Sequence, residues 1–135
     1  MSLFVKRPVI LKNVVTSSFK SQLTKELEQA IGQIDRWLEQ EEFQSRRLIA
    51  EAQKQNAHRA NQVREETDRE REKQTQVQDN LEQRLKQVKQ LQIDSLFISG
   101  TYDAPVKVEV GDNIHAKLSQ AEIIVKDGVV VQIIE

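Results

Sequence analysis

The chain has 135 residues, a length typical of a single domain. Its 20 Lys and Arg residues nearly balance its 21 Asp and Glu residues, so the composition provides no net positive charge for binding nucleic acid. The absence of cysteine excludes disulfide bonds, a thiolate nucleophile and cysteine metal ligands. The sequence contains no apolar run of about 18 residues that could span a membrane. Lys6 and Arg7 lie where a signal peptide has its apolar segment. We therefore expect a cytoplasmic protein without a membrane partner.

Glycine, proline and charge divide the chain into three parts, at residues 1–19, 20–93 and 94–135. Between Gly32 and Gly100 the chain contains neither glycine nor proline. Residues 1–20 carry a net charge of +4 and residues 94–135 a net charge of −4. Opposite charges at the two ends favour an arrangement in which the ends meet.

The first part, residues 1–19, is predicted to be an N-terminal β segment. The stretch FVKRPVILKNVV is apolar and rich in β-branched residues, which are typical of strands. Pro8 lacks the backbone N–H that a ladder needs, so the pattern predicts an edge strand or a broken strand here.

The second part, residues 20–93, is predicted to be a long coiled-coil helix, because it consists mainly of residues with high helix propensity. Ser17 or Ser18 provides a candidate N-cap. Apolar residues recur at intervals of three and four positions and form a stripe that another helix must cover. The predicted coiled-coil interface consists of Leu23, Leu27, Ile34, Trp37, Leu38, Ile49, Val63, Val77, Leu81, Val88 and Leu91.

Two arrangements bury this stripe by antiparallel pairing. One is a hairpin within the chain, with its turn near residues 56–61, where Asn56 and Asn61 tolerate unusual backbone angles. The other is an antiparallel dimer of unbroken helices. The absence of glycine and proline favours the unbroken helix, so we expect a homo-oligomer, either a dimer or a larger assembly.

The third part, residues 94–135, is predicted to be a β domain. Val106, Val108 and Val110 alternate with polar residues, which indicates a strand, and Asp127-Gly128 between two apolar runs indicates a hairpin with a type I′ turn. These few residues make a small core, so we expect the N-terminal segment to complete the sheet. The predicted fold class is therefore α+β: a long antiparallel coiled-coil helix with a small β domain built from both ends of the chain.

The sequence contains no pattern typical of a catalytic, cofactor or metal site. His58 and His115 are far apart in the chain and belong to no metal-binding spacing. Asp94, Asp103 and Asp112 fall near predicted turns, where aspartate usually bonds to local backbone. No glycine-rich phosphate loop is present. The sequence therefore predicts a protein that is not an enzyme and has no cofactor.

The segment REETDREREK, residues 64–73, is almost entirely charged. Its favourable and unfavourable pairs at helical spacing nearly cancel, at roughly 0.2–0.5 kcal/mol each. We interpret it as a solvated, stiff middle section of the helix.

The last part of the chain carries a family resemblance. The pattern V-x-V-G-D at residues 108–112 and the stretch EIIVKDGVVVQI at residues 122–133, together with the layout of a short β segment followed by a long charged helix, resemble the YlqD family of bacterial proteins. The family is uncharacterised, so the resemblance implies this layout but no activity, cofactor or site residue.

The predicted function is that of a structural or protein-interaction protein, which associates with itself through the coiled coil and with a protein partner of unknown identity. The alternative is an RNA- or ribosome-associated protein that binds through the small β domain, although the net charge of −4 in residues 94–135 argues against it. A third class, a chaperone-like holdase with a coiled-coil arm, would need exposed apolar surface at the end of that arm.

Overall fold

The computed structural model describes all 135 residues, and the chain divides into two compact units. The sheet unit combines Met1–Ser21 with Leu91–Glu135, and the helical unit is Gln22–Gln90. In chain order the elements are β1 (Ser2–Val14), α1 (Ser17–Gln55), α2 (Ala57–Lys89), β2 (Leu96–Glu109), α3 (Ile114–Leu118), β3 (Ala121–Lys126) and β4 (Val129–Ile134). The mixed α+β class that the sequence predicts is confirmed.

The sheet unit is built on four strands in the order β2-β1-β3-β4. β1 pairs antiparallel with β2 and parallel with β3, and β3 pairs antiparallel with β4. The N-terminal strand therefore lies between strands of the C-terminal segment, as the opposite charges of the two ends predict. Lys12 of β1 and Glu122 of β3 join the two segments directly, with 2.9 Å between Nζ and Oε1.

Pro8 does not make β1 an edge strand, so this prediction was wrong. Pro8 pairs with Asp103 of β2, whereas pairing with β3 begins one residue later, at Val9. Its missing N–H therefore falls in the half of β1 that has only one neighbouring strand, where part of the backbone needs no partner. The second half of β1, residues 9–13, has a strand on each side.

The predicted hairpin at Asp127-Gly128 is confirmed. It joins β3 to β4, and its two central residues have φ angles of 48° and 83°. Positive φ at both positions is the property of a type I′ turn, whose twist matches that of the flanking strands. Asp127 also accepts a hydrogen bond of 2.7 Å from the Thr16 hydroxyl, which ties the turn to the end of β1.

β2 is longer than the predicted strand and begins at Leu96. Its pairing with β1 includes an irregularity beside Leu11, where Ser99 is left without a partner. Val110 lies beyond the strand and is 96% exposed, so it does not share the half-buried face of Val106 and Val108 as expected. Residues 100–105 of β2 do not alternate between apolar and polar side chains. Backbone pairing with β1 extends the strand through them.

The short helix α3 was not predicted. Asn113 precedes it in extended backbone and caps it, because its Oδ1 accepts a hydrogen bond of 3.2 Å from the Ala116 backbone N–H. A helix of this length has too few residues to show a periodic apolar pattern.

Val15, which follows β1, is fully buried in the sheet unit, with 0% exposure. Its backbone N–H donates to the Ser95 carbonyl and its carbonyl accepts from the Asp94 N–H, both at 2.8 Å. Beside it, the rings of Phe19 and Phe97 lie 5.6 Å apart. These contacts hold the start of α1 against the start of β2.

The predicted unbroken helix was wrong: α1 ends at Gln55 and α2 begins at Ala57. Asn56 between them is extended, with φ of −169° and ψ of 159°, and its Oδ1 accepts a hydrogen bond of 2.7 Å from the Arg59 N–H. Such a bond satisfies one of the N–H groups that a new helix leaves free. A capping side chain therefore interrupts the helix where no glycine or proline is present.

The outer ends of the helices also differ from the predicted limits of residues 20 and 93. α1 begins at Ser17, and its first turn is capped by Thr16, whose Oγ1 accepts a hydrogen bond of 3.0 Å from the Phe19 N–H, rather than by Ser17 or Ser18. α2 ends at Lys89. Neither helix contains a stretch apolar and long enough to cross a membrane.

Candidate functional site

The helical unit buries its apolar stripe only in part. Of the predicted interface residues, Val88 is buried and most of the others are half-buried. Val77 differs, since it is 47% exposed while Gln78 beside it is half-buried. The stripe on α2 is therefore displaced by one position at this point, and a glutamine lies where the sequence suggested a valine.

Each buried or half-buried residue of α2 has a buried or half-buried counterpart on α1 at an equal separation from Asn56. Nearest to Asn56 are Ala52 and Ala60, which are both buried. The pairs that follow, moving away from Asn56, are Ile49 and Val63, Ser45 and Thr67, Glu41 and Arg71, Leu38 and Gln74, Ile34 and Gln78, Ile31 and Leu81, Leu27 and Leu85, and Thr24 and Val88.

One side-chain contact joins the two helices directly. Gln78 of α2 donates from Nε2 to the Ile31 carbonyl at 3.4 Å and to Oδ1 of Asp35 at 2.5 Å. These acceptors on α1 lie around Ile34, the residue whose separation from Asn56 equals that of Gln78. Sequence reasoning did not identify this polar contact, because a glutamine on an apolar stripe gives no signal of its own partner.

The two faces of the sheet differ in composition. Strand pairing and alternation of side chains place a mostly apolar set on a single face, which we call the valine face. Its apolar members include Leu3, Val5, Val9 and Leu11 of β1, Tyr102, Val106 and Val108 of β2, Ile123 and Val125 of β3, and Val130 and Ile133 of β4. Arg7 and Asn13 of β1 lie on the same face. The opposite face mixes Phe4, Ile10 and Ile124 with Lys6, Lys107 and Glu109.

Large apolar side chains are exposed on both faces of the sheet. Leu3 and Phe4 occupy opposite faces near the start of β1 and are 70% and 72% exposed. Tyr102 on β2 and Val130 and Ile133 on β4 are also more than half exposed. Several large apolar side chains exposed on one small sheet are typical of an interaction surface.

The two edges of the sheet are unlike each other. β2, at one edge, contains Asp103, Pro105, Lys107 and Glu109, and such residues discourage pairing with another strand. β4, at the other edge, contains only Val, Ile and one Gln, and all six of its residues are exposed. The β4 edge therefore offers unprotected backbone groups between apolar side chains.

A groove of about 370 Å³ lies at the end of the sheet where β1 begins and β2 ends. It is lined by Met1, Ser2, Leu3, Val5, Val108, Glu109, Val110 and Ile114. These side chains are mostly apolar, so the groove extends the valine face beneath α3.

The basic residues of the N-terminal segment make contacts within the sheet unit. Lys12 is paired with Glu122, and Arg7 donates from Nε to the Ser119 carbonyl at 3.0 Å. Nη2 of Arg7 is buried and has no hydrogen-bond partner. Lys6 remains exposed. Arg7 and Lys12 are therefore engaged by the protein itself, and Lys20 likewise donates from Nζ to the Leu91 carbonyl at 2.8 Å.

Polar side chains form no cluster with the geometry of a reactive site. His58 is exposed in α2 and its Nε2 lies 3.3 Å from Nε2 of Gln62, while His115 is exposed in α3. No three His, Asp or Glu side chains converge as metal ligands would.

The charged segment of residues 64–73 contributes to a shallow groove of about 740 Å³ along α2. Its lining residues are Asp68, Arg69, Arg71, Glu72, Lys73, Thr75, Gln76 and Asp79. Acidic and basic groups alternate there, and Glu65 and Arg69 are separated by 3.9 Å while both remain largely exposed. The groove therefore has no excess of positive or negative charge that would select a charged ligand.

Comparisons with known proteins agree with this layout. A solved structure titled as that of a protein of unknown function from Synechococcus sp. WH 8102 is 26% identical, with a TM-score of 0.84 over 100% of this chain and 96% of the other. No curated protein matches the sequence. The model of the YlqD protein family matches residues 3–134. In the order of the chain, the long helical region lies between the first and second strands of the sheet. The chain belongs to the YlqD family.

Proposed function

We propose that this protein is a non-enzymatic interaction protein whose sheet unit contacts a protein partner through exposed apolar residues. The observation that carries the proposal is the exposure of large apolar side chains, including Leu3, Phe4 and Tyr102, on the two faces of one small sheet. Large apolar side chains that are exposed close together mark protein contact sites, because leaving apolar surface in water costs roughly 25 cal/mol per Å².

We also infer that the helical unit is an antiparallel α-hairpin. The equal separations of its buried residues from Asn56 and the hydrogen bonds from Gln78 to Ile31 and Asp35 support this arrangement. An apolar stripe needs a covering helix, and in a hairpin the same chain supplies it. The coiled-coil stripe then gives no reason for two chains to associate, and we assign self-association to the sheet.

The alternative of RNA binding by the sheet has less support. Lys12 is neutralised by Glu122, and Arg7 is held by the Ser119 carbonyl. Nucleic-acid binding depends on basic groups that are free to contact phosphates. Lys107 of β2 is likewise paired, with Glu109 at 3.1 Å.

Site-specific photocrosslinking in native cells tests the surface. A benzophenone amino acid replaces Tyr102, on the sheet, and in a matched control replaces Phe43, which is similarly exposed on α1. We expect protein crosslinks from position 102 and few from position 43. Crosslinks from position 43 alone would overturn the proposal, and nuclease-sensitive products from position 102 would favour RNA binding.

A distance measurement tests the hairpin. Because the chain has no cysteine, Glu28→Cys and Arg84→Cys introduce the only labelling sites, at equal separations from Asn56. A hairpin predicts a short distance between two spin labels that persists when labelled protein is diluted with excess unlabelled protein. An unbroken helix would separate them by about 80 Å at ~1.5 Å per residue, and a short distance lost on dilution would indicate exchange of helices between two chains.

A further inference from the structure

We propose that the β4 edge of the sheet binds the β4 edge of a second copy of the chain, so that two four-stranded sheets form one eight-stranded sheet. The inference rests on the proposed function, in which the sheet makes the protein contacts, and it identifies one partner of that surface. The starting observation is that β4 is an edge strand whose six residues are all exposed. Edge strands of this kind pair with other chains unless charge, proline or a covering element prevents it.

The contrast with β2 identifies which edge is open. β2 presents Asp103, Pro105 and Lys107 along its length, and these residues interrupt or repel an added strand. β4 has the sequence VVVQII, without a charge or a proline. An added strand therefore meets no obstacle of side-chain chemistry at β4.

The register of β4 makes the strand complementary to itself. Pairing with β3 shifts by one residue at Val131, so that Val130 and Ile133 lie on the valine face while Val129 and Ile134 lie on the other face. In a two-fold antiparallel pair, Val129 meets Ile134 and Val130 meets Ile133 of the second copy, each on its own face. Both contacts join β-branched residues, which are favourable cross-strand pairs. The β-bulge thus allows one strand to match its own reverse.

Charge at the two ends of β4 agrees with antiparallel pairing. Lys126 pairs with Val129 at the start of the strand, and Glu135 follows Ile134 at its end. A two-fold pair brings Glu135 of each copy to the end that carries Lys126 of the other. Asp127 lies at the same end, where it accepts a hydrogen bond from Thr16. A second copy therefore covers the apolar side chains of this edge and brings Glu135 of one chain toward Lys126 of the other, in an isologous contact that closes at two chains.

Sedimentation equilibrium over a wide concentration range tests the proposal with the full chain. We expect association of the 15.6 kDa chain to a dimer. Val131→Lys, which places a charge in the middle of β4, should raise the dimer dissociation constant at least tenfold. Ile98→Lys is the matched control, because it adds the same charge to an exposed apolar position on the β2 edge, and it should change the dissociation constant less than twofold.

A charge exchange provides a second test that does not alter the strand itself. Lys126 and Glu135 are both exposed. Glu135→Lys should weaken the dimer about two- to fivefold at low salt, in line with exposed ion pairs, and the double variant with Lys126→Glu should restore it. Backbone amides of β4 should exchange hydrogen more slowly as protein concentration rises.

Three results would overturn the inference. The first is a monomer at every concentration, and the second is a dimer that Val131→Lys and Ile98→Lys affect equally. The third is amide exchange in β4 that does not depend on concentration. If position 102 still forms protein crosslinks, any of these results removes the β4 pairing while the proposed interaction function remains; if it forms none, both fail.

Discussion

Asn56 is the single residue that separates α1 from α2. Its side chain accepts the N–H of Arg59, and its extended backbone ends α1 one residue before α2 begins. Helix-forming residues lie on both sides, so nothing else in the local sequence requires the break. A single capping bond therefore helps to select two helices over one long helix.

Replacing Asn56 with Ala should lower the free energy of unfolding by about 0.5–2 kcal/mol, the usual cost of losing an N-cap. Urea denaturation followed by circular dichroism measures this change. Asn61→Ala is the matched control, because Asn61 is exposed within α2; its substitution should stay within about 0.5 kcal/mol of the wild type. Equal midpoints for the wild type and Asn56→Ala would show that the cap does not stabilise the fold.

Ala60 is one of two small, buried residues close to Asn56. It is 2% exposed, and Ala52, at the same separation on the other side of Asn56, is also buried. Ala60→Leu should therefore destabilise the protein by about 1–3 kcal/mol, because a larger side chain must displace its neighbours. Ala50→Leu, at an exposed position of α1, serves as the control in the same denaturation experiment. A tolerated Leu at position 60 would contradict close packing of this end.

At the scale of elements, β1 holds the sheet together. It pairs with β2 on one side and with β3 on the other, so β2 and the β3–β4 hairpin have no direct pairing with each other. The strand also positions Val15 and the ion pair between Lys12 and Glu122. The sheet therefore requires residues from both ends of the chain.

Deletion of residues 1–15 should destroy the sheet while helices remain. The loss exposes the backbone edges of β2 and β3 and removes the buried Val15, so aggregation should increase. Circular dichroism and amide-proton NMR of the truncated chain measure the outcome. A soluble truncated protein with an intact β signal and an unchanged melting temperature would show that the C-terminal strands fold independently.

At the scale of the whole molecule, balanced charge opposes binding to nucleic acid. The formal net charge is −1, and the charged segment of α2 mixes both signs. We therefore expect binding to duplex DNA or structured RNA no tighter than the roughly 10⁻⁴ to 10⁻⁶ M of non-specific contacts at physiological salt.

Fluorescence anisotropy with labelled duplex DNA, structured RNA and ribosomal subunits measures this affinity. Lys6→Ala removes the exposed base of β1 and should leave the weak binding essentially unchanged. Submicromolar binding that falls steeply with salt, and falls again in Lys6→Ala, would contradict the expectation and favour the RNA-binding alternative.

Local chemistry in the sequence determined several features of this protein. Asp127-Gly128 specified the β3–β4 turn, because few residue pairs adopt positive φ twice in succession. Helix propensity specified the helical region, and opposite charges at the two ends indicated their meeting. Each of these signals depends on residues adjacent in sequence or on a charge that acts over distance.

The tertiary structure decided the features that depend on which segments meet. Pro8 suggested an edge strand, but its place in the ladder depends on where β3 begins to pair, at Val9. The extent of β2 follows from pairing with β1 through a stretch with weak strand character of its own. The break at Asn56 depends on a competition between continuous helix and a capped junction, in which local propensity favours the former. Such outcomes are set by the summed free energy of non-local contacts, and this sum is not contained in any single segment of the sequence.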